Sequence, residues 1–207
     1  MSVDMSLGYT RTLIDSAATD GMLRNQLAYL LATACWETNS TMEPVKEAYW
    51  LSEEWREANL SYYPWYGRGF VQLTWEENYA RADSELHLDG SLVADADLAL
   101  DPSIASRIII TGMTEGWFTG KKLADYIDLT RSDYVGARKI INGTDHASDI
   151  ASIAADYDKA LLAEGYGVDD GDPPPAPAPL DDYAAQVARL DALEAWAMSL
   201  NYTPPEA

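Results

Sequence analysis

The stretch Met22-Leu23-Arg24-Asn25-Gln26-Leu27-Ala28-Tyr29-Leu30-Leu31-Ala32-Thr33-Ala34-Cys35-Trp36-Glu37-Thr38 decides the fold class. Leu23, Leu27, Leu30, Leu31, Ala34 and Cys35 recur with the period of a helix, as one apolar stripe, and not with the alternation of a strand. Asp20 is the candidate N-cap and Asn39-Ser40 the stop. The apolar part, Leu27 to Trp36 with Thr33 inside it, is about half of what spans a bilayer. A core helix is therefore the reading.

Outward from this run the pattern stays helical. Residues 47–59, 74–84, 102–115 (with Gly112 as an interruption), 132–141 and 147–163 all read as helices, and strand-like alternation appears only around Gly69 to Leu73. The expectation is a mainly α, two-lobed domain over 1–164 with at most a small β-hairpin. Residues 165–179, GYGVDDGDPPPAPAP, lack core-forming side chains and favour an extended linker. In 180–207, Leu180, Val187, Leu190, Leu193, Ala197 and Leu200 form one stripe, a short amphipathic helix suited to docking or self-association through 180–201.

Composition narrows the partners. Among 207 residues, 14 Lys and Arg face 34 Asp and Glu, a net charge of −20. Such a surface repels phosphate backbones and anionic lipid, which argues against nucleic acid and membrane partners. The one cysteine, Cys35, forms no intrachain disulfide and no Cys-rich zinc site; on the apolar stripe it reads as inert core. The two histidines, His87 and His146, stand far apart, so neither metal nor cofactor is expected. Met1-Ser2-Val3-Asp4 does not open like a secretory signal, so the expectation is synthesis in a cytoplasm.

Chemistry concentrates between Trp36 and Tyr79, which holds eleven of the 22 aromatic residues. Several stand in polar, turn-rich sequence such as Ser61-Tyr62-Tyr63-Pro64-Trp65-Tyr66-Gly67. Aromatic walls with polar tips suit a carbohydrate groove. Glu37 falls at the C-terminal end of its helix, where the dipole and apolar neighbours favour the protonated acid; Glu47 falls at the start of the next expected helix, where the dipole favours the carboxylate. An acid paired with a base is what glycosidic cleavage requires. Glu43, Glu53 and Glu54 are rivals that spacing alone leaves open as the base. Arg68, between Gly67 and Gly69, reads as support paired with a structural acid.

Residues 32–38 (ATACWET) with 42–48 (MEPVKEA) resemble the catalytic stretch of family-19 glycoside hydrolases, the chitinases and related phage endolysins. Residues 66–75 (YGRGFVQLTW) with Asn78-Tyr79 are similar to that family's second signature, and blocks at 112–121 and 137–143 follow in order. The resemblance covers about residues 20–165. It implies a lysozyme-like fold, with Glu37 as general acid, Glu47 as the base that activates water and Thr74 helping to hold that water. Gln72, Asn78, Tyr79 and Asn142 would line the sugar groove, with Tyr66 and Trp75 among its aromatics. Inversion, the family's outcome, requires carboxylates about 6.5–9.5 Å apart. The sequence departs from the pattern in two places around the acid: Trp36 replaces the usual His before it, and Thr38-Asn39-Ser40 replace glycines after it. His146 is the candidate to stand in for a basic residue after the Asn142-Gly143 turn.

Within that resemblance, the missing signal, small size and short C-terminal extension lead to the expectation of a phage-type cell-wall hydrolase that cleaves peptidoglycan, which it reaches by holin-type release or in the virion. A chitinase, and an inactive virion or wall-binding protein of the same fold, are the alternatives.

Overall fold

The computed structural model describes residues 3–167; the expected helix 180–201 and all but the start of the expected linker lie outside the described residues. The described residues up to Ala160 form one compact unit. The helices are α1 (Thr10–Thr19), α2 (Arg24–Glu37), α3 (Glu53–Asn59), α4 (Glu76–Glu85), α5 (Ser91–Ala94), α6 (Pro102–Glu115) and α7 (Ala147–Ala163). Two-residue strands β1 (Val45–Lys46) and β2 (Arg68–Gly69) pair antiparallel, Val45 opposite Gly69 and Lys46 opposite Arg68. Short 3-10 turns occupy Ala96–Leu100, Leu123–Asp125 and Gly136–Ile140. Among the described residues the protein is mainly helical with one small hairpin-like pair, as its sequence pattern implies.

Helix α2 is more central than one stripe allows. Every residue from Leu27 to Ala34 is buried, because α1 and α6 both pack against it. Each fully buried leucine there contributes about 2 kcal/mol. Thr33 is tolerated inside because its hydroxyl donates to the Tyr29 carbonyl at 3.0 Å. The capping expectation is corrected. Leu23, with extended backbone and no side-chain cap bond, precedes α2, while Asp20 closes α1. Cys35 is half-buried, its Sγ 3.7 Å from Ser40 Oγ, not core.

Three further boundaries differ from the sequence pattern. The helix expected from residue 47 starts at Glu53, with Ser52 as N-cap accepting the Trp55 N–H at 3.3 Å. The preceding loop is held instead by Arg56, whose Nη1 donates to the carbonyls of Ala48 (2.9 Å) and Leu51 (3.0 Å) and, more weakly, Glu47 (3.4 Å). Those carbonyls need no helical partner. The segment 132–141 is helical only as a 3-10 turn, because Ile127 and Ser132 bridge as strand and pull the chain extended. Helix α6 is not interrupted at Gly112; the missing side chain there makes room for the Phe118 ring. Asp101 caps α6, accepting from the N–H groups of Ser103 and Ile104, with Pro102 in the first turn.

The strand pair is pinned by charge. Asp97 receives Lys46 Nζ at 2.7 Å and Arg68 Nε at 2.8 Å, one cation from each strand. Burial works against its carboxylate, yet these two cations hold its pKa below the usual value. Gly69, at φ +82°, lies where an added Cβ would come within 2.8 Å of the Ala99 carbonyl oxygen.

Candidate active site

The carboxylate of Glu37 sits at the last residue of α2, as the sequence pattern implies. Its surroundings differ from the apolar pocket expected. Oε1 accepts a hydrogen bond from Nη1 of Arg138 at 2.9 Å, an ion pair in which the Arg138 side chain is 5% exposed and that of Glu37 19%. Nε of Arg138 also donates to the Asp145 carbonyl at 3.0 Å. A guanidinium bound at two edges cannot swing away, so it fixes the direction of the carboxylate. Beside Glu37, the Trp36 ring lies 4.7 Å from the imidazole of His146. An imidazole thus stands next to the segment that carries Trp36, supplied from 110 positions later in the chain.

Glu47 follows β1 directly and is not at a helix start, which corrects the dipole expectation. Its N–H donates to the Gly67 carbonyl at 2.7 Å. Two donors converge on its side chain: the Tyr62 hydroxyl at 2.8 Å on Oε1 and the Gly67 N–H at 2.9 Å on Oε2. The two bonds fix the direction of the Glu47 carboxylate. Burial, with the neighbouring Glu47 carboxylate, pushes the Tyr62 phenol up to about 12, so it remains a donor. A side chain at Gly67 would crowd these groups. A Cβ there would stand 2.8 Å from Gln72 Oε1 and 3.3 Å from Glu47 Oε2.

Gln72, Thr74 and Asn78 are tied to one another in turn, and Gln72 to the strand that precedes Glu47. Gln72 Nε2 donates to the Val45 carbonyl at 3.0 Å, which sets its amide against β1. Thr74 Oγ1 donates to the Gln72 carbonyl at 2.8 Å, leaving its oxygen able to accept. Asn78 Nδ2 donates to the Thr74 carbonyl at 2.7 Å. The Trp75 ring packs 4.9 Å from Tyr62, itself bonded to Glu47, and Trp75 stays 52% exposed.

Two expected groove aromatics are instead core. Tyr66 and Tyr79 are both fully buried. Tyr66 donates to Glu53 at 3.0 Å and stacks its ring under the Arg68 guanidinium at 3.7 Å, while Tyr79 donates to the Tyr66 carbonyl at 2.8 Å. The YGRG motif spends its tyrosine on packing because buried Arg68 needs an aromatic face and carbonyl acceptors around it. Asn142 lies on the Glu37 side. Its N–H donates to the Arg138 carbonyl at 3.0 Å, and its exposed side chain accepts the Gly143 N–H.

The rivals to Glu47 are otherwise placed. Glu53 is taken by Arg56, at 3.0 and 3.2 Å, and by Tyr66. Glu43 and Glu54 are exposed. Arg68 is buried against Asp97, the structural pairing expected of it. Sequence reasoning gave no role to Arg138, Tyr62 or Arg56. Arg138 lies inside the 137–143 block, and an Arg138-Lys139 pair in an otherwise apolar run was the signal available for it. Among the described residues no group of three or more His, Cys, Asp or Glu side chains is placed to hold a metal ion, and no helix is long and apolar enough to cross a membrane.

No protein-family model matches the chain, and no solved structure matches it. It is 40% identical over 81 residues to an acidic endochitinase of Dioscorea japonica, a match that covers 38% of this chain and 29% of that protein. What the chain shares with this relative is thus a segment that spans less than a third of the relative's length.

Proposed function

We propose that the protein is a glycoside hydrolase that cleaves β-1,4 bonds between N-acetylated amino sugars with inversion. The observation that carries this reading is the holding of Glu47. Its carboxylate accepts from Tyr62 and from the Gly67 N–H, within the motif that holds Gln72 and Thr74. Glu47 takes a proton from a water whose oxygen attacks the anomeric carbon. Thr74 Oγ1 accepts a hydrogen bond from the water's remaining O–H, which stays on the attacking oxygen. Glu37, aimed by Arg138 and entering the step in its protonated form, gives its proton to the departing glycosidic oxygen as the C–O bond breaks. Trp75 offers a sugar ring an exposed face, and Asn142 a polar group on the Glu37 side.

The preferred substrate is peptidoglycan, attacked from within by holin-type release or from outside by a virion-borne copy made in the host cytoplasm. Chitin is the second reading, favoured by the segment shared with an endochitinase. The test is product analysis after parallel digestion of purified sacculi and chitin. Mass spectrometry locates the new reducing ends, and proton NMR during the first turnovers reads their anomer. Release of α-anomeric ends from sacculi supports the proposal in full; release from chitin alone moves the substrate. Anhydro-sugar ends contradict inversion, and binding without any new reducing end makes the protein a wall-binding module.

A further inference from the structure

Tyr49 and Trp50 are the central residues of a tight turn, closed by the Leu51 N–H donating to the Ala48 carbonyl at 2.8 Å. Such positions favour Gly, Asn, Asp or Pro for reasons of backbone geometry. Here they hold two large aromatics, 53% and 71% exposed, with rings edge to face at 5.2 Å. Neither the turn nor the core explains them.

The turn is nonetheless built with care. Arg56, 6% exposed, spends one nitrogen on the carbonyls of Ala48 and Leu51, with Glu47 at the edge of reach, and its other nitrogens on the Glu53 carboxylate. Tyr66 donates to Glu53 from the core side. A buried guanidinium thus fixes the backbone from Glu47 to Leu51, and the aromatic pair is presented by a rigid support. Apolar area presented in this way marks a binding surface.

We infer that Tyr49 and Trp50 form a sugar-binding ledge that grips the β-1,4 N-acetylhexosamine strand beyond the bond being cleaved, on the Glu47 side. The inference rests on the hydrolase reading above. Continuity favours this occupant: Glu47 and the ledge share one loop and one arginine. Charge favours it too, since a chain of net charge −20 repels nucleic acid and anionic lipid, whereas the CH-rich face of a pyranose ring is uncharged and flat enough to lie on indole.

Binding isotherms on insoluble polymer test the ledge, with the full chain carrying Glu37→Gln so that nothing is digested. Sacculi form one arm and chitin the other. Trp50→Ala, and Tyr49→Ala to a lesser degree, are expected to weaken binding about tenfold, equivalent to about 1.4 kcal/mol, in at least one arm. Trp50→Phe recovers most of the loss. Leu129→Ala, which removes a side chain 85% exposed elsewhere, leaves binding unchanged.

Unaltered binding by Trp50→Ala in both arms overturns the ledge. So does an equal loss from Leu129→Ala, which reports general stickiness. A change in the free protein's sedimentation with unaltered polymer binding assigns the pair to a second copy of the chain and also overturns it. The two readings fail separately. Hydrolysis that depends on Glu37 while Trp50 is irrelevant sinks only the ledge; Trp50-dependent binding by a wild-type protein that never cleaves sinks only the hydrolase.

Discussion

Arg138 and Glu37, 101 residues apart in the chain, meet in an ion pair at 2.9 Å that joins the C-terminal end of α2 to the Gly136–Ile140 turn. The guanidinium is nearly enclosed and the carboxylate mostly so. Removing one side strands the other. Arg138→Met is expected to cost about 3 kcal/mol in urea unfolding and to lower turnover about a hundredfold through misdirection of Glu37. Unchanged turnover in a folded variant would separate Arg138 from the chemistry.

A side chain at Gly67 would press on Gln72 and Glu47, whose atoms belong to the site. In Gly67→Ala the new Cβ falls 2.8 Å from Gln72 Oε1 and 3.3 Å from Glu47 Oε2, so the Gln72 amide must leave its bond to the Val45 carbonyl or the Gly67 N–H must withdraw from Glu47. Turnover is expected to fall at least about tenfold, with a loss of stability of about 1 kcal/mol. Steady-state kinetics and a melting curve read both.

Trp75 and Tyr79 stand four residues apart yet differ in role. Trp75→Ala removes a half-exposed ring beside Tyr62 and is expected to raise KM severalfold with little change in melting temperature. Tyr79→Phe leaves the Tyr66 carbonyl and Arg68 short of a partner in the core, costing about 1 kcal/mol with KM unchanged. The reverse assignment of effects would restore Tyr79 to the groove.

Stability should fall at both ends of the pH scale, for opposite reasons. Burial pushes the phenols of Tyr79 and Tyr134 up to about 12, and those of Tyr29 and Tyr157 higher still. The unfolded chain releases these protons near pH 10 and the folded chain only well above it, so the folded state binds more protons in that window. Stability is complete below pH 10 and declines as pH rises toward 12. Asp97 acts oppositely: its folded pKa lies below 3.8, so its contribution is present above that value and is lost as pH falls through the folded pKa. Melting temperatures measured across the scale, with tyrosinate absorbance followed on the alkaline side, check both limbs; a melting temperature that holds level beyond pH 11 contradicts the alkaline limb.

Sequence pattern conveyed the helical class and the ends of α6 and α7, because a long apolar period with an Asp-Pro start or a sharp stop leaves few alternatives. Helix α1 escaped it. Only Leu13, Ile14 and Ala17 of its apolar residues are buried, and no side chain caps its start. The loop 47–52 looked helical because nothing local reveals that Arg56 will satisfy its carbonyls from the core side. In the site, Glu37 and Glu47 were legible as acids near aromatics. Their partners Arg138, Tyr62 and Gly67 were not, since each arrives by tertiary contact across 101, 15 and 20 residues. Tyr66 and Tyr79 misled for a related reason: a tyrosine in a turn-rich motif gives no sign of whether a buried arginine will claim its ring.

Turnover by Glu37→Gln, measured beside Glu47→Gln and wild type on purified sacculi and on chitin, bears most directly on the paired-carboxylate account. The glutamine keeps an oxygen for Arg138 Nη1, so the melting temperature should move by no more than a few degrees. The account predicts new reducing ends from wild type in at least one polymer and a fall of at least about a thousandfold in both folded variants. Undiminished release of reducing ends by folded Glu37→Gln would contradict it.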